Sequence, residues 1–197
     1  QFPLITIEKA QAIKEGGDNF VQRGTTVAAE GIKAINPDAK VLYYKNIIID
    51  WHGSDATPAL EAIDNSYLKK TDGEFLTIGG RFRKYFDVSM PAVRNWWMED
   101  ATRMLNEPSI DGLFIDAHPK ILYDWWLPQR GIAQQKWVEI YEGYIQLLQD
   151  INDVFGSRNI LLANLIRTSV SEQGGREHLH FFDGSYLEHF TNDNLYD

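Results

Sequence analysis

The sequence predicts an α/β chain whose parallel strands are sheathed by helices, and it favours a closed eight-stranded barrel over an open doubly wound sheet. Three observations carry this. Apolar runs of strand length alternate with segments of helical period. No G-x-G-x-x-G and no P-loop is found, although an open sheet normally carries such a turn after its first strand. Polar residues close the runs one after another, at Glu8, Asp50, Asp116, Asn164 and Glu188, and a barrel places its ligand-handling residues at that end of several strands.

Leu4 to Ile7 reads as the first strand, ending at Glu8-Lys9, and Gly16-Gly17-Asp18 breaks the chain. Thr25 to Ile35 has Val27, Ala28, Ile32 and Ile35 at helical spacing and is closed by Asn36-Pro37-Asp38. Val41 to Asp50 is β-branched and aromatic, hence a second strand. Residues 54 to 90 hold a short helix near Ala59 to Tyr67 and a hairpin around Phe75 to Phe86, and insertions this long are commonly binding loops. Ser89 as N-cap and Pro91 in the first turn open a helix carrying Val93, Trp96, Trp97, Ala101, Met104 and Leu105, which Asn106-Glu107-Pro108 ends. Asp111 to Asp116 then gives a turn pair, three apolar residues and a carboxylate where the strand should run out. Trp125 to Pro128 lies in a loop, and Lys136 to Phe155 is the longest amphipathic helix, with Gly156 as its stop. Ile160 to Arg167 reads as a buried strand, followed by a polar loop around Gly174-Gly175. The last strand, Phe181 to Glu188, repeats the design of Asp-Gly, three residues and an acid.

The 197 residues, 44% of them hydrophobic, suffice for one substantial core, so residues 1–197 read as a single partial domain. Six Trp, nine Tyr and ten Phe exceed what such a core needs, and aromatic rings suit flat apolar ligands as well as packing. A formal charge of -9 with no basic run argues against nucleic acid or an anionic membrane as partner. No stretch approaches the roughly 20 apolar residues of a membrane span. Gln1 to Ile5 enters a strand-like run at once with no initiator Met, which reads as a mature form or an excised piece. The absence of Cys removes disulfides, thiolate zinc sites and thiol nucleophiles and leaves the compartment open.

Read together, Val41-Leu42-Tyr43-Tyr44-Lys45-Asn46, Phe86-Asp87-Val88-Ser89, Val93-Arg94-Asn95-Trp96-Trp97, Asp111 to Asp116, Ala163-Asn164 and Asp183-Gly184-Ser185-Tyr186 resemble a family of hypothetical barrel glycoside hydrolases over most of the chain. The resemblance implies a parallel (β/α)8 TIM-type barrel that hydrolyses glycosidic bonds of an oligo- or polysaccharide without a cofactor. Family members start a strand earlier and continue beyond the Asp-Gly-Ser-Tyr block, and such a barrel takes about 250 residues. The chain therefore corresponds to about strands two to six of an incomplete barrel, the others being lost, supplied by another chain or outside this sequence.

Glycoside hydrolysis usually needs two carboxyl groups flanking the bond. Asp116 and Glu188 are the expected catalytic pair, since each ends a strand expected to be buried and neither has an adjacent cation in sequence. The resemblance implies that the first is the nucleophile, on strand four, and the second the proton donor, on strand six. Expected around them as substrate-binding residues are Glu8, Lys45, Asn46, Asp50, Trp51, His118, Lys120, Asn164, Arg167 and Tyr186. Lys45 and Asn46 point in opposite directions, so only one can face the barrel interior, and the charge of Lys45 needs a carboxylate or a ligand near the rim. Trp51 could stack on a sugar or anchor its loop. Arg167 could meet ligand or neutralise a carboxylate, and Tyr186 shares a face with Glu188 and could orient that acid. Asp111 and Asp183 read as turn formers, and Trp96 and Trp97 as core.

Two further readings stay open at this point. A metal-dependent barrel hydrolase could draw ligands from His52, His118, His178, His180 and His189 with Asp50 and Asp116, although His178 and His180 precede a strand whereas barrel metals follow one; no metal is expected. A non-catalytic carbohydrate-binding or scaffold fragment would keep a cleft without turnover.

Overall fold

The apolar runs become strands because each has helices to cover it on one side. In the computed structural model, residues 3–9, 13, 20–51, 53–79, 83–117, 119–167 and 176–188 are described. Five strands, β1 (Leu4–Ile7), β2 (Lys40–Asn46), β3 (Gly112–Asp116), β4 (Ile160–Arg167) and β5 (Gly184–Glu188), pair in chain order, every pair parallel. The crossovers hold α1 (Val21–Ile35), α2 (Thr57–Glu61), α3 (Pro91–Leu105) and α4 (Gln134–Phe155). A doubly wound sheet reverses its strand order at a switch point. Here the order runs straight through, so the sheet curls as a half-barrel.

Alternation splits the sheet into two faces. Val41, Tyr43, Leu113, Ile115, Leu161 and Ala163 are buried on one face, under a helix layer that contributes Val93, Trp97, Ala101 and Met104 from α3 and Ile140, Tyr144, Leu147 and Ile151 from α4. The other, concave face carries Leu42, Tyr44, Phe114, Leu162 and Tyr186. Burial falls off across it, from Leu42 at 0% exposed to Tyr186 at 53%. Tyr44 stacks on Phe114 and Phe114 meets Tyr186 edge to face, each pair with centroids 6.1 Å apart, so an aromatic ladder crosses β2, β3 and β5.

The two Asp-Gly pairs do one job at the N-terminal ends of the strands. The Asp111 carboxylate accepts from the Val41 amide at 2.8 Å and from Lys33 at 2.6 Å, while its own amide donates to Val41 O at 2.8 Å. Burial opposes its charge, but these donors outweigh it and hold its pKa below the usual carboxylate range. Asp183 repeats the clip on Leu161, accepting from its amide at 2.8 Å and donating to its carbonyl at 2.9 Å. Gly112 follows because a Cβ there would stand 2.0 Å from Ile160 O.

Several expected elements change in detail. Val41 to Asp50 does not run as one strand. β2 stops at Asn46, whose side-chain carbonyl accepts from the amides of Ile48 at 2.9 Å and Ile49 at 2.6 Å and folds the chain away in spite of three β-branched residues. Asp50 therefore closes no strand. Asn164 does not end β4 either; it stands at a bulge between Asn164 and Ile166, where the Ser185 hydroxyl accepts from the amides of Leu165 and Ile166 at 3.2 and 3.1 Å. On α1, Val27 and Ile35 are exposed, and the inward stripe is Val21, Thr25 and Ala29. The short helix in the insertion is Thr57–Glu61, and the expected hairpin reduces to isolated bridges such as Thr77 with Lys84.

Ser89 does not cap α3. Met90 is the N-cap residue without a side-chain bond, and the Ser89 hydroxyl turns to Asp87 and accepts from Lys136 Nζ at 2.7 Å. Burial works against the Lys136 ammonium, but Asp87 and Glu139 keep its pKa raised, and the cluster fastens α4 to the chain before α3. At that seam a Cβ on Gly143 would come within 2.2 Å of Val88 O. Gly143→Ala should therefore lower stability by about 1–3 kcal/mol through overpacking, despite the better helix propensity of Ala. An unchanged or raised urea midpoint would show that the seam can open without cost. No described helix is long and apolar enough to cross a membrane.

Candidate active site

Asp116 closes β3 at the C-terminal edge of the sheet, and its neighbours on both sides turn donors to it. From β2, Tyr44 Oη donates to Oδ2 at 2.6 Å and Asn46 Nδ2 donates to the same oxygen at 2.9 Å. From β4, Asn164 Nδ2 donates to Oδ1 at 3.3 Å. The register explains the convergence: Asn46 lies opposite Asp116, and Tyr44 precedes Asn46 by two residues on the same face. Burial first, and then the Asp116 carboxylate, push the Tyr44 phenol well above its usual pKa, so it stays a protonated donor.

Asn46 is held from every side. Its backbone carbonyl accepts from Trp97 Nε1 at 2.9 Å, its side-chain carbonyl holds the turn that ends β2, and its amino group holds Asp116. Expected to meet substrate, it is 4% exposed, with both ends of its side chain bonded within the protein. Behind the carboxylate, Tyr144 Oη donates to Ala117 O at 2.6 Å, fixing the chain as it leaves β3. Among the described residues, all three hydrogen-bond donors to Asp116 are neutral.

Lys45 goes the other way, toward α3, and there finds the carboxylate that its charge was expected to need. Its side chain is 7% exposed and pairs with Asp100 of α3, with its ammonium 5.0 Å from the Trp96 ring and 5.2 Å from the Trp97 ring. Asp100 also accepts from Arg103 at 2.7 Å, Gln22 at 3.1 Å and Tyr43 at 3.3 Å. Burial alone would raise the Asp100 pKa, but Lys45 and Arg103 outweigh it and hold it below the usual carboxylate range.

The remaining expected residues fall into two groups. Glu8 follows β1, pairs with Lys9 and lies near enough to Tyr44 to act on its phenol. Lys9 reaches over the rings of Tyr44 at 4.6 Å and Trp51 at 4.5 Å. Asp50 is buried and accepts from Tyr67 Oη at 2.8 Å, while Trp51 is half-buried. Lys9, Tyr44, Asp50 and Trp51 line one small cleft with Asn46 and Phe86. Lys120 is half-buried in the turn Pro119–Leu122 after β3. Tyr186 pairs with Asn164 across β4 and β5 and faces solvent on the concave side. Glu188 ends β5 opposite Arg167; the side chains of both lie outside the described residues, as do His118, His52, His189 and the turns at residues 16–18 and 174–175. His178 and His180 pack on Phe181, with ring centroids 6.2 and 4.1 Å away, and among the described residues no three His, Asp or Glu side chains gather as metal ligands.

Tyr44 is the residue that sequence reading missed. Its signal is its position, two residues before Asn46 in a strand whose alternation sets Lys45 and Asn46 on opposite faces.

Comparison with solved structures supports the barrel. The chain superposes on the alpha-galactosidase from Lactobacillus brevis with a TM-score of 0.57 at 12% identity, covering 93% of this chain and 25% of that one. It superposes on the glycoside hydrolase domain of PelA from Pseudomonas aeruginosa with a TM-score of 0.52 at 13% identity, covering 83% and 53%. An alpha-amylase from Lactobacillus plantarum gives 0.52 at 12% identity, covering 83% and 35%. The chain thus spans about half or less of each of these proteins, and the likeness is one of fold. No match to it is found among the curated proteins. At the level of sequence, the profile of Hypothetical glycosyl hydrolase family 15 matches residues 33–195. The match takes in β2 to β5 with Tyr44, Asn46, Asp116 and Asn164, and the chain belongs to that family.

Proposed function

We propose that the chain carries the bond-cleaving part of a glycoside hydrolase acting on an oligo- or polysaccharide, with Asp116 as the ionised carboxylate and Glu188 as the proton donor. The observation supporting this reading is the Asp116 carboxylate itself, held at the barrel rim by three neutral donors from the two adjoining strands. Cleavage of a glycosidic bond passes through an oxocarbenium-like transition state. A negative charge fixed in direction by neutral donors is matched to the positive charge that develops there. Asp116 then either attacks the anomeric carbon or takes the proton from a water that does. Glu188, closing the strand two places from Asp116's own, gives its proton to the departing oxygen. Tyr186, exposed on the concave face of β5, offers its ring to the sugar.

A leaving group that departs without a proton separates the two roles. Glu188→Gln should reduce cleavage of unactivated oligosaccharides by about 10²–10⁴-fold and leave 2,4-dinitrophenyl glycosides near the wild-type rate. Equal losses on both substrates, or none on either, would remove Glu188 as the acid. Tyr44→Phe keeps the ring on Phe114 and deletes only the hydroxyl. It should cost about 1 kcal/mol of stability and lower kcat by roughly tenfold, equivalent to about 1.4 kcal/mol, with KM little changed. A rise in KM at constant kcat would make Tyr44 a substrate contact in place of a positioning residue.

A further inference from the structure

The loop from β3 to α4 leaves the sheet at the same rim as Asp116 and carries an aromatic pair that the proposed chemistry does not use. Tyr123 and Trp125 stack with centroids 5.5 Å apart and planes within 6° of parallel. Trp125 is 47% exposed, and Asp124 between them is exposed as well. Burying an aromatic side chain is favourable, so an indole kept in water forfeits stability that the neighbouring Trp126 collects.

The loop is not free to fold Trp125 away. Trp126 is buried with its ring 6.0 Å from that of Tyr85 and covered by Arg130 at 3.7 Å. Arg130 Nη1 donates to Trp126 O at 3.0 Å, Trp137 Nε1 to Ile121 O at 3.0 Å, and the Thr71 amide to Gly131 O at 2.8 Å. The long insertion, α4 and the loop therefore hold one another, and Trp125, stacked on the half-buried Tyr123, is presented by a backbone already ordered.

We propose that Tyr123, Asp124 and Trp125 form an outer sugar-binding platform on this rim, a subsite for a pyranose ring of the same chain that Asp116 would cut. The proposal rests on the hydrolase reading for the identity of that chain. A pyranose ring presents a flat C–H face that packs on an aromatic surface, and its edge hydroxyls donate to a carboxylate beside that surface. Asp124, in a protein of net charge -9, selects against anionic sugars, so the class is a neutral or amino-bearing glycan. Such a platform is preorganised, and binding to it pays little ordering entropy.

The test is an array of neutral, amino-bearing and uronate-containing oligosaccharides of graded length, probed with the wild-type chain, Trp125→Ala and Trp125→Phe, with reducing-end release from the same glycans followed separately. The wild type should retain the longer neutral or amino-bearing members. Trp125→Ala should lose about tenfold in affinity, which is about 1.4 kcal/mol, and Trp125→Phe should lose less. Equal retention by wild type and Trp125→Ala, retention of uronates alone, or no retention by any protein would overturn the platform. Cleavage that persists while Trp125→Ala binds normally defeats the platform and spares the hydrolase. Binding that depends on Trp125 without any cleavage by the wild type does the reverse.

Discussion

Asp116→Asn should abolish glycan cleavage, by about 10³-fold or more, while the protein remains folded. The size follows from what is removed: the amide cannot carry the charge that meets the oxocarbenium-like centre, and a positioned carboxyl group in acid–base work alone supplies about 10²–10⁴-fold. The fold should survive because the amide has nearly the shape of the carboxylate and keeps one accepting oxygen for Tyr44 and Asn46. Its amino group would face Asn164 Nδ2, so one 3.3 Å hydrogen bond is lost at about 1 kcal/mol. Reducing-end release, with a urea melt on the same sample, checks both halves. Wild-type turnover by a folded Asp116→Asn variant would take this residue out of the chemistry.

The largest effect on stability is expected away from the site, at Lys45→Met. Removing one partner of a buried ion pair typically costs about 3–5 kcal/mol, because the other charge stays buried. Asp100 keeps Arg103, Gln22 and Tyr43, which places the loss near the lower end, about 3 kcal/mol. The same pair sets a pH dependence. The Asp100 pKa lies below its unfolded value of about 3.9. The pair's stabilisation is thus complete above that pH and is lost as pH falls through the depressed folded value. Urea midpoints at neutral and acid pH should show the wild type losing stability below about pH 4 and Lys45→Met losing less over the same interval. A variant as stable as the wild type at neutral pH would mean that Arg103 alone neutralises Asp100.

Part of this fold and site was legible in the sequence. The five strands were, because runs such as Leu113-Phe114-Ile115 and Ile160 to Leu165 are apolar enough to be buried, and the carboxylate ending the first of them was visible as an anomaly. The end of β2 was not. Ile47-Ile48-Ile49 has high strand propensity, and what overrides it is the Asn46 side chain capturing two amides, an event local propensity does not register. The direction of Lys45 was half legible: alternation said that either Lys45 or Asn46 faces inward, and the partner that decides it, Asp100, lies 55 residues on in a helix. Tyr44 was missed because a tyrosine inside an apolar run reads as packing. It is packing, on Phe114, and its hydroxyl reaches Asp116 as well. Ser89 had the composition of a cap, but Lys136, 47 residues away, holds it elsewhere.

In the proposed reaction the Asp116 carboxylate, held by Tyr44, Asn46 and Asn164, faces the bond to be cut. A crystal structure of the Asp116→Asn variant soaked with an oligosaccharide that the wild type cleaves tests it most directly. The account predicts a sugar on the concave face with its anomeric carbon about 3–3.5 Å from the residue-116 side chain and the donor set otherwise unchanged. A sugar seated elsewhere on the protein, with the residue-116 side chain still enclosed by its three donors, would contradict it.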